Sequence, residues 1–149
     1  WNSSSGGTGW LQTRASPARI NFLDRFDQDV LAVNADVYLI WMGYNDIGDG
    51  NDAAIQAQAT AKVAALKAAH PKAKIYVAGP PDTAAPAAPA ASWTSMNAAM
   101  AAVATATGAG FIDLTGIAFT KIADGIHPDN AGSTTLTAAL KAAIAEDLA

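Results

Sequence analysis

Two short stretches of this chain carry residue types whose spacing could do chemistry. In "DGIHPDN", Asp124 precedes His127 by three residues, and Pro128 follows. A histidine acting as a general base needs one ring nitrogen held by an acceptor, so that the other presents its lone pair outward. Asp124 can be that acceptor if Gly125 and Ile126 turn the chain. The plainer reading is that Asp129 or Asn130 caps the last helix and His127 faces solvent. In "GYND", Gly43, Tyr44, Asn45 and Asp46 directly follow an apolar run. The Asn45 amide can aim two N–H donors at a developing oxyanion, or Asn45 and Asp46 can close an Asx turn on their own backbone. Together the motifs supply different parts of one machine: a donor for an oxyanion, and a base with its orienter.

The elements that must position these residues follow from hydrophobic period. Residues 1–20 are rich in Gly and Ser and read as loop. "NFLDRFDQDVLAV" spaces Leu23, Phe26, Val30 and Leu31 as a short or irregular helix. The run Val37–Met42 reads as a strand buried on both faces. Ile55, Ala59, Val63 and Leu66 predict a helix over 52–69, closed by Pro71. Residues 73–79 and 110–114 read as further strands, and the Pro/Ala-rich segment 80–91 as a loop beside the pocket. Ser92 reads as the N-cap of a helix carrying Trp93, Met96, Met100 and Val103, ended by Gly108. The last helix places Leu136, Leu140, Ile144 and Leu148 on one stripe. Trp41, Trp93, Met96 and Met100 are expected in the core. Trp1 and Trp10 read either as pocket walls or as loop anchors. Alternating strands and helices imply a single α/β domain over 1–149 with a parallel sheet.

Composition removes several functional classes. The 149 residues are 51% hydrophobic and 15% charged, with a net charge of −4 and no cysteine. Nine scattered Lys and Arg make no basic stripe for nucleic acid. Without cysteine there is neither a thiolate nucleophile nor a sulfur-bound metal. No apolar run reaches the length of a membrane span. Asp46, Asp49, Asn51 and Asp52 form an acidic loop without the EF-hand order, so no metal is assigned. His70, ahead of Pro71, reads as a connector.

The pair GYND and DGIHP resembles the third and fifth sequence blocks of the SGNH hydrolases, the GDSL esterase/lipase family. "SGGTGWL" is similar to the family's second block, whose glycine N–H joins the oxyanion hole; Gly6 is the first counterpart and Gly7 the second. The resemblance implies a flavodoxin-like three-layer α/β/α fold and a serine ester hydrolase without cofactor. It also implies roles: His127 as base, Asp124 as orienter, and Asn45 with Gly6 as oxyanion donors. Implied substrates are small esters such as acetylated carbohydrates or lipids. The family's first block, a Gly-Asp-Ser segment bearing the nucleophile, has no counterpart, because no apolar strand leads into Ser3, Ser4 and Ser5. The first two strands of the fold and the serine are therefore expected from a preceding segment, as a second polypeptide cut upstream of Trp1. A non-catalytic carbohydrate- or acyl-binding module is the alternative. High alanine content without cysteine is compatible with secretion by a bacterium.

Overall fold

The computed structural model describes Asn2 and residues 7–15, 18–83 and 90–149. Its centre is a parallel sheet of three strands, β3 (Val37–Trp41), β4 (Lys74–Ala78) and β5 (Gly110–Ile112), in the order β3-β4-β5. Val37 pairs with Lys74 and Trp41 with Ala78; Tyr76 pairs with Gly110 and Ala78 with Ile112. Helix α2 (Asp52–Ala69) joins β3 to β4, and α3 (Ala90–Thr107) precedes β5. The last helix, α4 (Asn130–Leu148), follows a loop of irregular backbone. This is the expected flavodoxin-like α/β arrangement, a parallel sheet flanked by helices.

Each face of the sheet has its own apolar cluster. On one, Tyr38, Ile40, Ile75 and Val77 pack with Ile55, Val63 and Leu66 of α2 and Met96, Met100 and Val103 of α3. The short helix α1 (Phe22–Phe26), extended by a π turn over Asp27–Leu31, adds Phe22, Leu23, Phe26 and Val30 to that cluster. On the other face, Tyr76, Ala78, Ile112 and Leu114 pack with Leu140 of α4. Complete burial of an aliphatic or aromatic side chain contributes roughly 1.5–3 kcal/mol, so these clusters hold the layers together.

Several expectations need correction. The strand β3 is buried on one face only: Tyr38 and Ile40 are inside, whereas Val37, Leu39 and Trp41 are 37–40% exposed. The cause is position, since on that side α4 lies over β4 and β5 and no described element covers the outer face of β3. Trp41 is therefore not a core residue, although Trp93, Met96 and Met100 are buried. Residues 1–20 are not loop throughout, because β1 (Arg14–Ala15) and β2 (Ala18–Arg19) form a small antiparallel ribbon. The helix α3 starts two residues ahead of Ser92, which is thus not its N-cap; the preceding alanines are the strongest helix formers and carry the turn past it. Along α4, Leu136 and Leu140 are buried, Ile144 packs partly, and Leu148 is exposed where the helix runs past the sheet. His70 is the connector expected of it, its Nε2 lying 3.0 Å from the Leu31 carbonyl.

Candidate active site

Both chemical motifs lie on loops around the sheet. Two residues after β3 comes Gly43, whose φ of 113° lies in the left-handed region that glycine enters without steric cost. That turn starts a 3-10 helix over Tyr44–Asp46 and points consecutive side chains back toward the first loop. The Asn45 Nδ2 donates to the Thr8 carbonyl at 2.8 Å. Asp46, only 1% exposed, accepts the backbone N–H groups of Trp10 at 2.7 Å and of Leu11 and Gln12 at 3.0 Å each. Burial pushes its carboxyl above the ordinary value, against the pull of those three donors. The loop is anchored by Trp10, which is fully buried and meets Phe22 edge-on at 5.2 Å. Of the two readings of Trp10, the structure therefore favours the anchor; Trp1 lies outside the described residues.

The second motif is built differently. The backbone pairs Ile122 N–H with the His127 carbonyl at 2.9 Å and Asp129 N–H with the Thr120 carbonyl at 3.2 Å, making a narrow loop. Gly125, with φ of 71°, closes its tip. Asp124 Oδ1 accepts the N–H groups of Ile126 at 2.8 Å and His127 at 2.9 Å, and its Oδ2 lies 2.6 Å from His127 Nδ1. The His127 bond, with those two N–H groups, lowers the Asp124 carboxyl to about 2. An ionised carboxylate only accepts, so the proton of this bond sits on Nδ1, which in the uncharged form of the ring leaves the lone pair on Nε2. The His127 side chain is 70% exposed and that of Asp124 39%. At the base of the loop Asp129 caps α4 through Gly132 N–H at 2.8 Å and also accepts from Thr120. The helix cap and the Asp–His contact that "DGIHPDN" offers are thus both present, on different aspartates.

Asn45 and His127 line the same cleft, of about 230 Å³. Its walls are mainly apolar, with Trp41, Tyr44, Pro80, Phe119 and Leu136 among them. Pro80 is held in place by buried Asn97, whose amide donates to its carbonyl at 3.2 Å. Asp124 stands behind His127, as the sequence suggested. Gly6 lies outside the described residues; Gly7 is described, in a turn with φ of 75°. Sequence reasoning missed what Asp46 does and which residue receives the Asn45 amide. Both bonds span 34–37 positions of chain, and no local pattern signals them.

The model of the GDSL-like lipase/acylhydrolase family matches residues 3–134, most of the chain. The chain belongs to this family. Among solved structures, this GDSL-like chain is similar to the M. smegmatis aryl esterase, with a TM-score of 0.63 at 18% identity over 91% of this chain and 74% of the other. It is also similar to a carbohydrate esterase of family 3 from Talaromyces cellulolyticus, with a TM-score of 0.64 at 19% identity over 84% of this chain and 65% of that one. A Corynascus carbohydrate esterase of family 2 with a carbohydrate-binding domain aligns at a TM-score of 0.66 and 18% identity, over 93% of this chain and 50% of its own. At such identities the likeness is one of fold. No curated protein matches the sequence. Among the described residues, no helix of the GDSL-like domain is long and apolar enough to cross a membrane.

Proposed function

We propose that this chain carries the general base and the oxyanion donors of a serine ester hydrolase. The observation that carries the reading is the meeting of Asn45 and His127 in one cleft, with Asp124 2.6 Å behind the imidazole. In this reading Nε2 of His127 takes the proton of an attacking serine and returns it to the leaving alcohol. Asp124 holds the ring in the required tautomer and stabilises its charged form. The second N–H of the Asn45 amide and the backbone N–H of Gly6 receive the oxyanion. The substrate is a small ester, an acetylated carbohydrate or a lipid, which suits a small, largely apolar cleft.

The nucleophilic serine comes, in this proposal, from a segment outside these 149 residues, whether in the same polypeptide or a second one. The edge of β3 that no strand pairs among the described residues supports this, because an apolar edge strand is a ready template for pairing. A groove of about 460 Å³ runs beside it, walled by Phe22, Val30, Tyr38 and Leu39, and shares Trp41 and Met42 with the cleft. A strand seated there would end next to His127 and Asn45.

The test is hydrolysis of p-nitrophenyl acetate by the full gene product, alongside its His127→Ala variant and an intact-mass measurement of the sample. The variant is expected to lose at least about a thousandfold in kcat. Undiminished hydrolysis would remove His127 from its role, and a sample with no serine-bearing segment and no hydrolysis would favour a binding module.

A further inference from the structure

The two neighbours Asn45 and Asp46 grip one loop from the same 3-10 turn. Asn45 Nδ2 donates to the Thr8 carbonyl, and two residues further on Asp46 collects three successive N–H groups, those of Trp10, Leu11 and Gln12. Both carboxylate oxygens are used, Oδ2 by Trp10 and Oδ1 by Leu11 and Gln12. The approach is so close that a Cβ on Gly9 would fall inside the carboxylate and force it to shift. The loop closes on itself through the bond from Gly9 N–H to the Gln12 carbonyl at 3.0 Å, and it is tied to α1 by Phe22 N–H on the Gly9 carbonyl at 2.9 Å. An amide side chain is otherwise free to rotate about its terminal torsion. Here one of its N–H groups is spent on Thr8, which fixes the plane and thereby the direction of the other.

We propose that Asp46 is a positioning residue: by holding Trp10–Gln12 it places the Thr8 carbonyl, which in turn orients the Asn45 amide into the cleft. The inference rests on the ester-hydrolase reading for its kinetic consequence and on geometry alone for the coupling between Asp46 and Asn45. Asp46 itself lies behind the cleft wall and touches no reacting atom. Its carboxylate works because it is acceptor-only; an Asn there would turn its NH2 toward either the Trp10 N–H or the Leu11 and Gln12 N–H groups and leave them without an acceptor.

The test compares the parent, Asp46→Asn and His127→Ala forms of the full gene product by ester kinetics and by NMR of the Asn45 side-chain amide. In the parent, the two Asn45 amide protons are expected as a well-separated pair, one slowed in exchange by Thr8. In Asp46→Asn this separation collapses, and kcat falls between about tenfold and a hundredfold, less than the loss of an entire oxyanion donor. KM stays within about twofold. A purely structural role would leave the folded fraction with parent kcat and an unchanged Asn45 signal, and that result overturns the inference. Gly9→Ala presses on the same carboxylate from the loop side and is expected to reproduce the effect. Should neither variant keep its near-UV circular dichroism, the parent decides: an Asn45 amide exchanging at the rate of a free side chain overturns the coupling, and a protected one supports it. If His127→Ala hydrolyses like the parent, the ester-hydrolase reading fails while the NMR outcome stands on its own. If His127→Ala is inactive and Asp46→Asn keeps parent kcat, the inference about Asp46 alone fails.

Discussion

Asp46 and Asp124 are both aspartates that accept backbone N–H groups beside the cleft, and they are opposites. Asp46 is almost fully buried and takes donors 34–36 positions away, so it is a tertiary staple between the end of β3 and the first loop. Asp124 is partly exposed and takes donors two and three positions away, so it organises only its own turn and the ring of His127. Burial raises the carboxyl of the first, while the imidazole and two N–H groups lower that of the second to about 2. The same chemical group thus holds tertiary structure in one place and orients a candidate base in the other. What differs is solvent access and the length of chain between partners.

The comparison can be broken most decisively at Asp124. Asp124→Asn is expected to lower kcat on p-nitrophenyl acetate by about a thousandfold, because an amide no longer enforces the Nδ1–H tautomer. The amide oxygen can still accept the N–H groups of Ile126 and His127, so the turn is kept and a melting curve little changed is expected beside the lost activity. A large drop in Tm would place Asp124 in the same class as Asp46.

Asp46→Ala should show the reverse balance. Three N–H groups, that of Trp10 buried and those of Leu11 and Gln12 half-buried, lose their acceptor, which costs about 3 kcal/mol, seen as a drop in Tm of ~10 °C for a domain of this size. A shift under about 2 °C would show that water replaces the carboxylate and that the staple is dispensable.

Gly132→Ala sharpens where the Asp124 loop is anchored. A methyl group there would run into the Thr120 carbonyl and crowd Pro128, at the base of the loop. Such overpacking against backbone costs about 2 kcal/mol, readable in urea denaturation.

The smallest effect is a titration. The folded carboxyl of Asp124 is depressed relative to its ordinary value of 3.8. Its bond to His127 therefore contributes fully above that value and disappears only as the pH falls toward about 2. Carbon-13 NMR of the Asp124 carboxyl should place the midpoint there, and a midpoint near 4 would mean that the 2.6 Å bond is not kept in solution.

Much of the site was legible because its chemistry is local. Asp124, Gly125 and His127 fall within four residues, and the turn that brings carboxylate to imidazole is decided by that short stretch. The helix over 52–69 was legible for a similar reason, since Ile55, Ala59, Val63 and Leu66 recur at a helical period whatever they pack against. The beginning of α3 was not, because a serine among alanines can be a cap or an ordinary helical residue with the same sequence. The ribbon of β1 and β2 was also missed, as two-residue strands leave no period to read.

The sequence by itself determined the alternation of the three parallel strands with the long helices, and the residue types of the candidate base, orienter and donor, all of which depend on neighbours a few positions apart. Only the tertiary structure decided that Asn45 and His127 share a cleft, that Asp46 is spent on the Trp10–Gln12 backbone, and that Val37, Leu39 and Trp41 lie uncovered. Those outcomes turn on which distant groups come within hydrogen-bond or van der Waals range. That is set by how α4 and the first loop settle against the sheet, and no spacing along the chain records it.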